Sequence, residues 1–167
     1  MARLLTEQRK KLIGTTLRKK VSLPVDRREL HKYCYAVGDL NPLYTDEKYA
    51  KKGRYGELIT PPAYGHIAVR HQFPSTFKPT PTGTQTFHEL KELSEKLGLP
   101  RVLDVGQYFE FYQPVRVGDT LTVESKIVDI MEKQIKAGPA LLLTQEERII
   151  NQKGELICIE QIKLMFY

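Results

Sequence analysis

No apolar run in this sequence comes near the length needed to cross a bilayer as a helix. The opening Met1-Ala-Arg-Leu-Leu-Thr-Glu-Gln-Arg-Lys-Lys lacks the long apolar core of a secretory signal, and Glu7 argues against a transit peptide, so a cytoplasmic protein is expected. Only two cysteines occur, Cys34 and Cys158. Their spacing suits neither a metal site nor a disulfide framework, which leaves two reduced, structural thiols. There is no Gly-rich phosphate loop and no nucleophile elbow. No His/Cys/Asp cluster has zinc spacing, so no metal is expected. No RNP-type aromatic string is present, and without a nucleic-acid motif no nucleic-acid partner is expected. Internal repeats are also absent.

What remains is a chain of 167 residues, 41% hydrophobic and 28% charged, enough for one domain with a real core. The formal charge is +6, with basic clusters at Arg9-Lys10-Lys11, Arg18-Lys19-Lys20, Arg27-Arg28 and Lys51-Lys52. Such clusters are either a solvated surface or the rim of a site for an anionic group.

The first half reads as helices. Residues 1–12 suggest a short surface helix, and the β-branched stretch from Gly14 to Val25 an edge strand. Asp26 with Glu29 forms a capping box. The helix that follows should bury Leu30, Tyr33, Cys34 and Val37. Gly38 supplies the positive φ that ends it. Asn41 is a natural N-cap, with Pro42 pre-set for the first helical position. Asp46 to Lys52 predicts a short helix that buries Tyr49 and Ala50. Thr60 to Arg70 predicts a central helix, with Ala63, Ile67, Ala68 and Val69 as its small or apolar inner residues. Residues 73–87, rich in Pro and Thr, read as a long lid-like loop in which Phe77 could cover a pocket. His88 to Leu97 is helical in spacing and ends at Gly98.

The second half reads as sheet: Val105–Gln113, Thr120–Met131, Ala140–Ile150, and a last strand alternating Leu156, Cys158, Ile162, Leu164 and Phe166. Glu160 breaks that alternation. A phase change near Val128 predicts a bulge, and Asn151-Gln152-Lys153-Gly154 a hairpin turn. An early helical half followed by long antiparallel strands gives an α+β fold.

Gly38-Asp39-Leu40-Asn41-Pro42-Leu43-Tyr44-Thr45-Asp46 resembles the signature of the MaoC-like (R)-specific enoyl-CoA hydratases, a hotdog-fold family, which runs roughly Gly-Asp-x-Asn-Pro-Leu-His-x-Asp. Pro61-Pro62, the run from Phe111 to Leu121 and Ile150 to Glu155 are also similar to that family, so the resemblance spans about residues 15–165. Tyr44 stands where the family has its catalytic histidine, as in the FAS1-like dehydratase N-terminal-domain branch.

The resemblance implies a single hotdog domain over 1–167, an antiparallel sheet wrapped around a central helix. It implies Asp39, Asn41 and Tyr44 as the catalytic positions and Pro62, Tyr64, Gly65 and His66 as substrate-binding ones. The substrate class would be an acyl-CoA thioester, with coenzyme A as part of the substrate and no separate cofactor. The partner would be a second hotdog subunit, the same chain or a catalytic MaoC-like one, with no membrane partner.

Hydrating an enoyl thioester requires a base for water, a proton for the α-carbon and stabilisation of the thioester oxygen. A phenol with a free pKa of about 10 is a poor base at neutral pH, whereas an imidazole near 6.5 can both accept and donate. Half of the Asp/His pair is therefore missing. Three readings follow: a pocket-forming subunit beside a catalytic partner, a self-sufficient homodimer using Asp39 with Tyr44 or His66, or a non-catalytic acyl-CoA-binding scaffold.

Overall fold

The computed structural model describes residues 4–70 and 85–167. The helices are α1 (Glu7–Lys10), α2 (Arg27–Val37), α3 (Pro42–Thr45), α4 (Glu47–Lys52), α5 (Tyr64–Arg70) and α6 (Gln85–Leu97). The strands are β1 (Thr16–Val21), β2 (Val102–Phe111), β3 (Leu121–Ile135), β4 (Gly138–Asn151) and β5 (Leu156–Phe166). They form one sheet in the order β1-β3-β4-β5-β2, antiparallel at every pairing. This is the expected α+β hotdog architecture, with β1 and β2 as its two edges.

Local chemistry accounts for the helix boundaries. Asp26 accepts hydrogen bonds from the Arg28 and Glu29 amides to start α2, and Gly38 closes it at φ 74°. The Asp39 amide returns to the Cys34 carbonyl at 3.0 Å, completing the left-handed C-cap. Asn41 caps α3 through the Leu43 amide, with Pro42 in the first turn, and Asp46 caps α4 through the Lys48 and Tyr49 amides. Asn151 holds the β4–β5 hairpin by accepting from the Lys153 and Glu155 amides. The expected bulge lies at Val128, where the β3–β4 register shifts between Ile127 and Asp129.

Several expectations need correcting. Val37 and Tyr49 are exposed, because α2 and α4 bury only a narrow stripe, Leu30 with Cys34 and Ala50 respectively. Pro61 to Ala63 precede α5 rather than open it, and Ala63 is exposed. The lid-like loop expected over 73–87 gives way to helix at Gln85, which extends α6 back past His88. The rest of that loop, with Phe77, and His71 before it, lie outside the described residues. β2 begins at Val102 and β3 runs on to Ile135.

The inner face of the sheet carries two apolar clusters. One joins Leu121, Val123, Ile149 and Cys158 to Leu30 and Cys34 of α2 and to Tyr64 and Val69 of α5. The other joins Ile127, Ile130, Leu141, Leu143, Ile162, Leu164 and Phe166 to Leu93 and Leu97 of α6. Between them a row of paired residues crosses all five strands: Arg18, Ser125, Glu147, Glu160 and Phe109. Four of the five are polar, in the middle of a core.

Candidate functional site

Two places carry chemistry. The first is the turn between α2 and α3. Asp39 and Asn41 are exposed in the single chain, and both side chains bond locally. Asp39 Oδ1 accepts from the Asn41 amide at 3.4 Å and Asn41 Oδ1 from the Leu43 amide at 3.0 Å. Tyr44 is half-buried against the first apolar cluster. Burial, and then the charge of Asp39, push its phenol above the ordinary tyrosine value. The same two causes raise Cys34 beneath it. The structure therefore brings Asp39 and Tyr44 into one electrostatic neighbourhood. It also makes Tyr44 a weaker acid than free tyrosine, and so less able to supply a proton.

The second place is the start of α5. Pro62 is exposed. Tyr64 is buried edge-on to Tyr33, ring centroids 5.2 Å apart. Burial raises its phenol as well. Gly65 lies flat on the sheet: a Cβ there would come within 3.3 Å of Val115 Cγ2. A glycine lets the helix approach this closely. His66 points to the polar row. Its Nδ1 is 2.5 Å from Glu160 Oε2, and its ring meets Phe109 edge-on at 5.8 Å.

Glu160 and Glu147 are directly paired across β4 and β5, and both are 0% exposed. Glu147 Oε1 forms an ion pair with Arg18, itself buried, and accepts from Gln145 Nε2 at 2.6 Å. Neither carboxylate was singled out in the sequence as a site residue, nor was Arg18. The available signal was Glu160 itself, a charged residue in the core-facing phase of β5. The two carboxylates also act on Cys158: burial first, then Glu160 and Glu147, push its thiol up to about 12.

The ligating atoms of His66, Glu147 and Glu160 lie within 4.8 Å of one another, a spacing that could hold a cation. Arg18 already answers the charge of Glu147, and His66 is hydrogen-bonded to Glu160. A guanidinium bound to one of the three would-be ligands opposes a divalent ion, so the group reads as a buried ion-pair and hydrogen-bond network.

A cavity of about 520 Å³ lies beneath α6 on the other side of the row. Its walls include Leu90, Leu93, Ile127, Ile162 and Leu164, and it reaches Arg18 and Gln145. Asp39, Asn41 and Tyr44 do not line it. No helix among the described residues is long and apolar enough to cross a membrane.

Comparison with known proteins agrees with this architecture. The model of the family described as FAS1-like, dehydratase domain region matches residues 11–160. A UPF0336 protein of Streptomyces coelicolor is 31% identical over 156 residues, covering 92% of this chain and 91% of the relative. One from Streptomyces avermitilis is 37% identical over 108 residues, or 64% of this chain; the match spans only 62% of that relative. A probable enoyl-CoA hydratase alpha subunit of Thermomonospora curvata is 24% identical over 143 residues, 85% of this chain but 44% of its own length. Among solved structures, the ChsH1-ChsH2 complex from Mycobacterium tuberculosis superposes with a TM-score of 0.73 at 16% identity, covering 90% of this chain and 83% of the matched one. The (R)-hydratase PhaJ1 of Pseudomonas aeruginosa gives 0.62 at 21% identity, with coverages of 92% and 81%. With a five-stranded antiparallel sheet of hotdog type and a family model matching residues 11–160, the chain belongs to the family described as FAS1-like, dehydratase domain region.

Proposed function

We propose that this chain is a subunit of an (R)-specific enoyl-thioester hydratase/dehydratase, acting on acyl-CoA, that contributes the acyl pocket beside a hotdog partner carrying an intact Asp/His pair. The observation that carries this reading is Tyr44. It occupies the histidine position of the signature, half-buried and with its phenol raised, so it can orient a water or a carbonyl but is a poor base near pH 7.

Two further features support it. Among the described residues β2 is an unpaired edge that exposes Leu103, Val105, Tyr108 and Phe111, with Tyr112 exposed just beyond it. An edge of that length and apolarity calls for a covering strand. The T. curvata relative is described as an alpha subunit, and the M. tuberculosis match is a two-protein complex, so paired assembly is a reasonable expectation here. Asp39 and Asn41, exposed in the single chain, would then border a cleft completed by the partner.

The test is hydration of crotonyl-CoA and of bulkier enoyl-CoA thioesters by the purified chain, alone and mixed with a MaoC-like subunit that has the Asp/His signature. Turnover only in the mixture supports the reading. Robust turnover by the chain alone, abolished by Asp39→Ala, refutes the need for a partner.

A second reading has one observation in its favour. His66 is backed by the buried carboxylate of Glu160, an arrangement that fixes the imidazole's orientation. A homodimer could use it in place of the missing histidine. Activity of the chain alone that survives Tyr44→Phe and is lost in His66→Gln would establish that version.

A further inference from the structure

Tyr33 joins the signature turn to the start of α5. It stands on α2 shortly before Gly38, and its ring meets that of Tyr64, the first residue of α5, edge-on at 5.2 Å. Tyr44, on α3, packs against the same apolar cluster beyond the turn. The Asp39 amide returns to the carbonyl of Cys34, the residue next to Tyr33. Cys34 lies within electrostatic reach of all three phenols, so α2, α3 and α5 each bring one tyrosine to a single spot.

Packing alone would be served by phenylalanine. Tyr64 is only 7% exposed, yet its hydroxyl has no hydrogen-bond partner among the described residues, and neither have those of Tyr33 and Tyr44. A buried phenol ordinarily pairs its hydroxyl, because leaving it unpaired costs stability. Burial raises all three phenols, with Cys34 and Asp39 adding to the rise at Tyr33, Asp39 at Tyr44, and Glu29 and Asp26 at Tyr64. They stay protonated at neutral pH and donate rather than accept a proton. The carboxylates acting on them disfavour a further negative charge, so the matching acceptor is a neutral oxygen. The cluster beneath, with Leu30, Val69 and Val115, is apolar and suits a carbonyl carried on a hydrocarbon body.

We propose that Tyr33, Tyr44 and Tyr64 form one donor site for a neutral carbonyl oxygen, that of the substrate's thioester, and that Tyr33 is therefore a substrate-positioning residue. The site holds the thioester in this subunit and supplies no base. This deepens the hydratase reading above and rests on it for the identity of the carbonyl as a thioester.

The test is calorimetric binding to the full chain, alone and mixed with a MaoC-like subunit that has the Asp/His signature. The probes are butyryl-CoA and S-butyl-CoA, the thioether in which a methylene replaces the carbonyl. Butyryl-CoA should bind more tightly by at least about three- to tenfold, the size of one neutral hydrogen bond. Tyr33→Phe keeps the ring packing; it should cut that advantage by at least about threefold and leave S-butyl-CoA affinity unchanged. The infrared carbonyl stretch of isotope-labelled butyryl-CoA should move to lower frequency on binding and return towards the free value in Tyr33→Phe, a change that a packing role would not produce. Should that variant fail to fold, Tyr44→Phe takes its place with the same expectation. Equal binding of the two probes, an unchanged ratio in the folded variant, or failure of both probes to bind in either setting overturns the proposal. Butyryl-CoA is saturated and cannot be hydrated, so failure of the hydratase reading appears in crotonyl-CoA turnover and failure of this one in the carbonyl preference.

Discussion

Removing the Arg18 guanidinium should be among the most damaging single changes in this protein. Arg18 forms an ion pair with Glu147, whose side chain is 0% exposed and lies next to Glu160, also 0% exposed. Arg18→Met keeps much of the stem volume but leaves two buried carboxylates with one fewer compensating charge. Breaking a buried pair from one side costs about 3–5 kcal/mol. Against a total stability of about 5–15 kcal/mol, that is a large share. For a chain of this size it corresponds to a fall in melting temperature of roughly 6–20 °C. The double variant Arg18→Met/Glu147→Leu removes both charges, and should recover most of the loss because apolar replacement of a buried pair is near neutral. The assay is urea unfolding of wild type, both single variants and the double variant, at fixed protein concentration so that any subunit association is held constant. The coupling from that cycle should exceed 2 kcal/mol, about the upper end for contacting residues. An Arg18→Met cost below about 1 kcal/mol, or a coupling near zero, would refute the claim that the row is held by paired buried charge.

The Cys158 thiol, raised to about 12, gives a pH signature. A thiol bound more tightly to its proton in the folded state contributes stability that is complete below the unfolded value near 8.5 and declines as pH rises towards 12. Unfolding free energy should therefore fall by up to about 1.4 kcal/mol per pH unit in that window, with the slope reduced in Cys158→Ala, as read by denaturant titrations at pH 8 and 10. Native Cys158 should also resist iodoacetamide at pH 8, and fast labelling would contradict its burial. Leu103→Lys with Phe111→Asp on the β2 edge should abolish self-association or partner binding in analytical ultracentrifugation, and unchanged assembly would remove β2 as the interface. Gly38→Ala, at φ 74°, should cost about 1 kcal/mol, as should loss of the Asn41 cap in Asn41→Ala. Thermal melts check both, and a neutral Gly38→Ala would mean that the turn relaxes.

Much of this protein was fixed by local chemistry and could be read from the sequence. Asp26 and Asn41 cap their helices, Gly38 ends α2, Val128 breaks the strand phase and Asn151 turns the hairpin, because each acts within a few residues of itself. The resemblance at Gly38–Asp46 named the family for the same reason: it is a contiguous string with its own hydrogen bonds. The strand order, with β2 far from its sequence neighbour β3, depends on long-range pairing that no local pattern encodes. The polar row was equally hidden. Arg18, Ser125, Glu147 and Glu160 come from four strands as much as 142 positions apart, and only antiparallel register puts them side by side beneath His66. A charged residue in the apolar phase of a strand told of burial; only the tertiary structure supplied the opposite charge and the imidazole that make such burial possible.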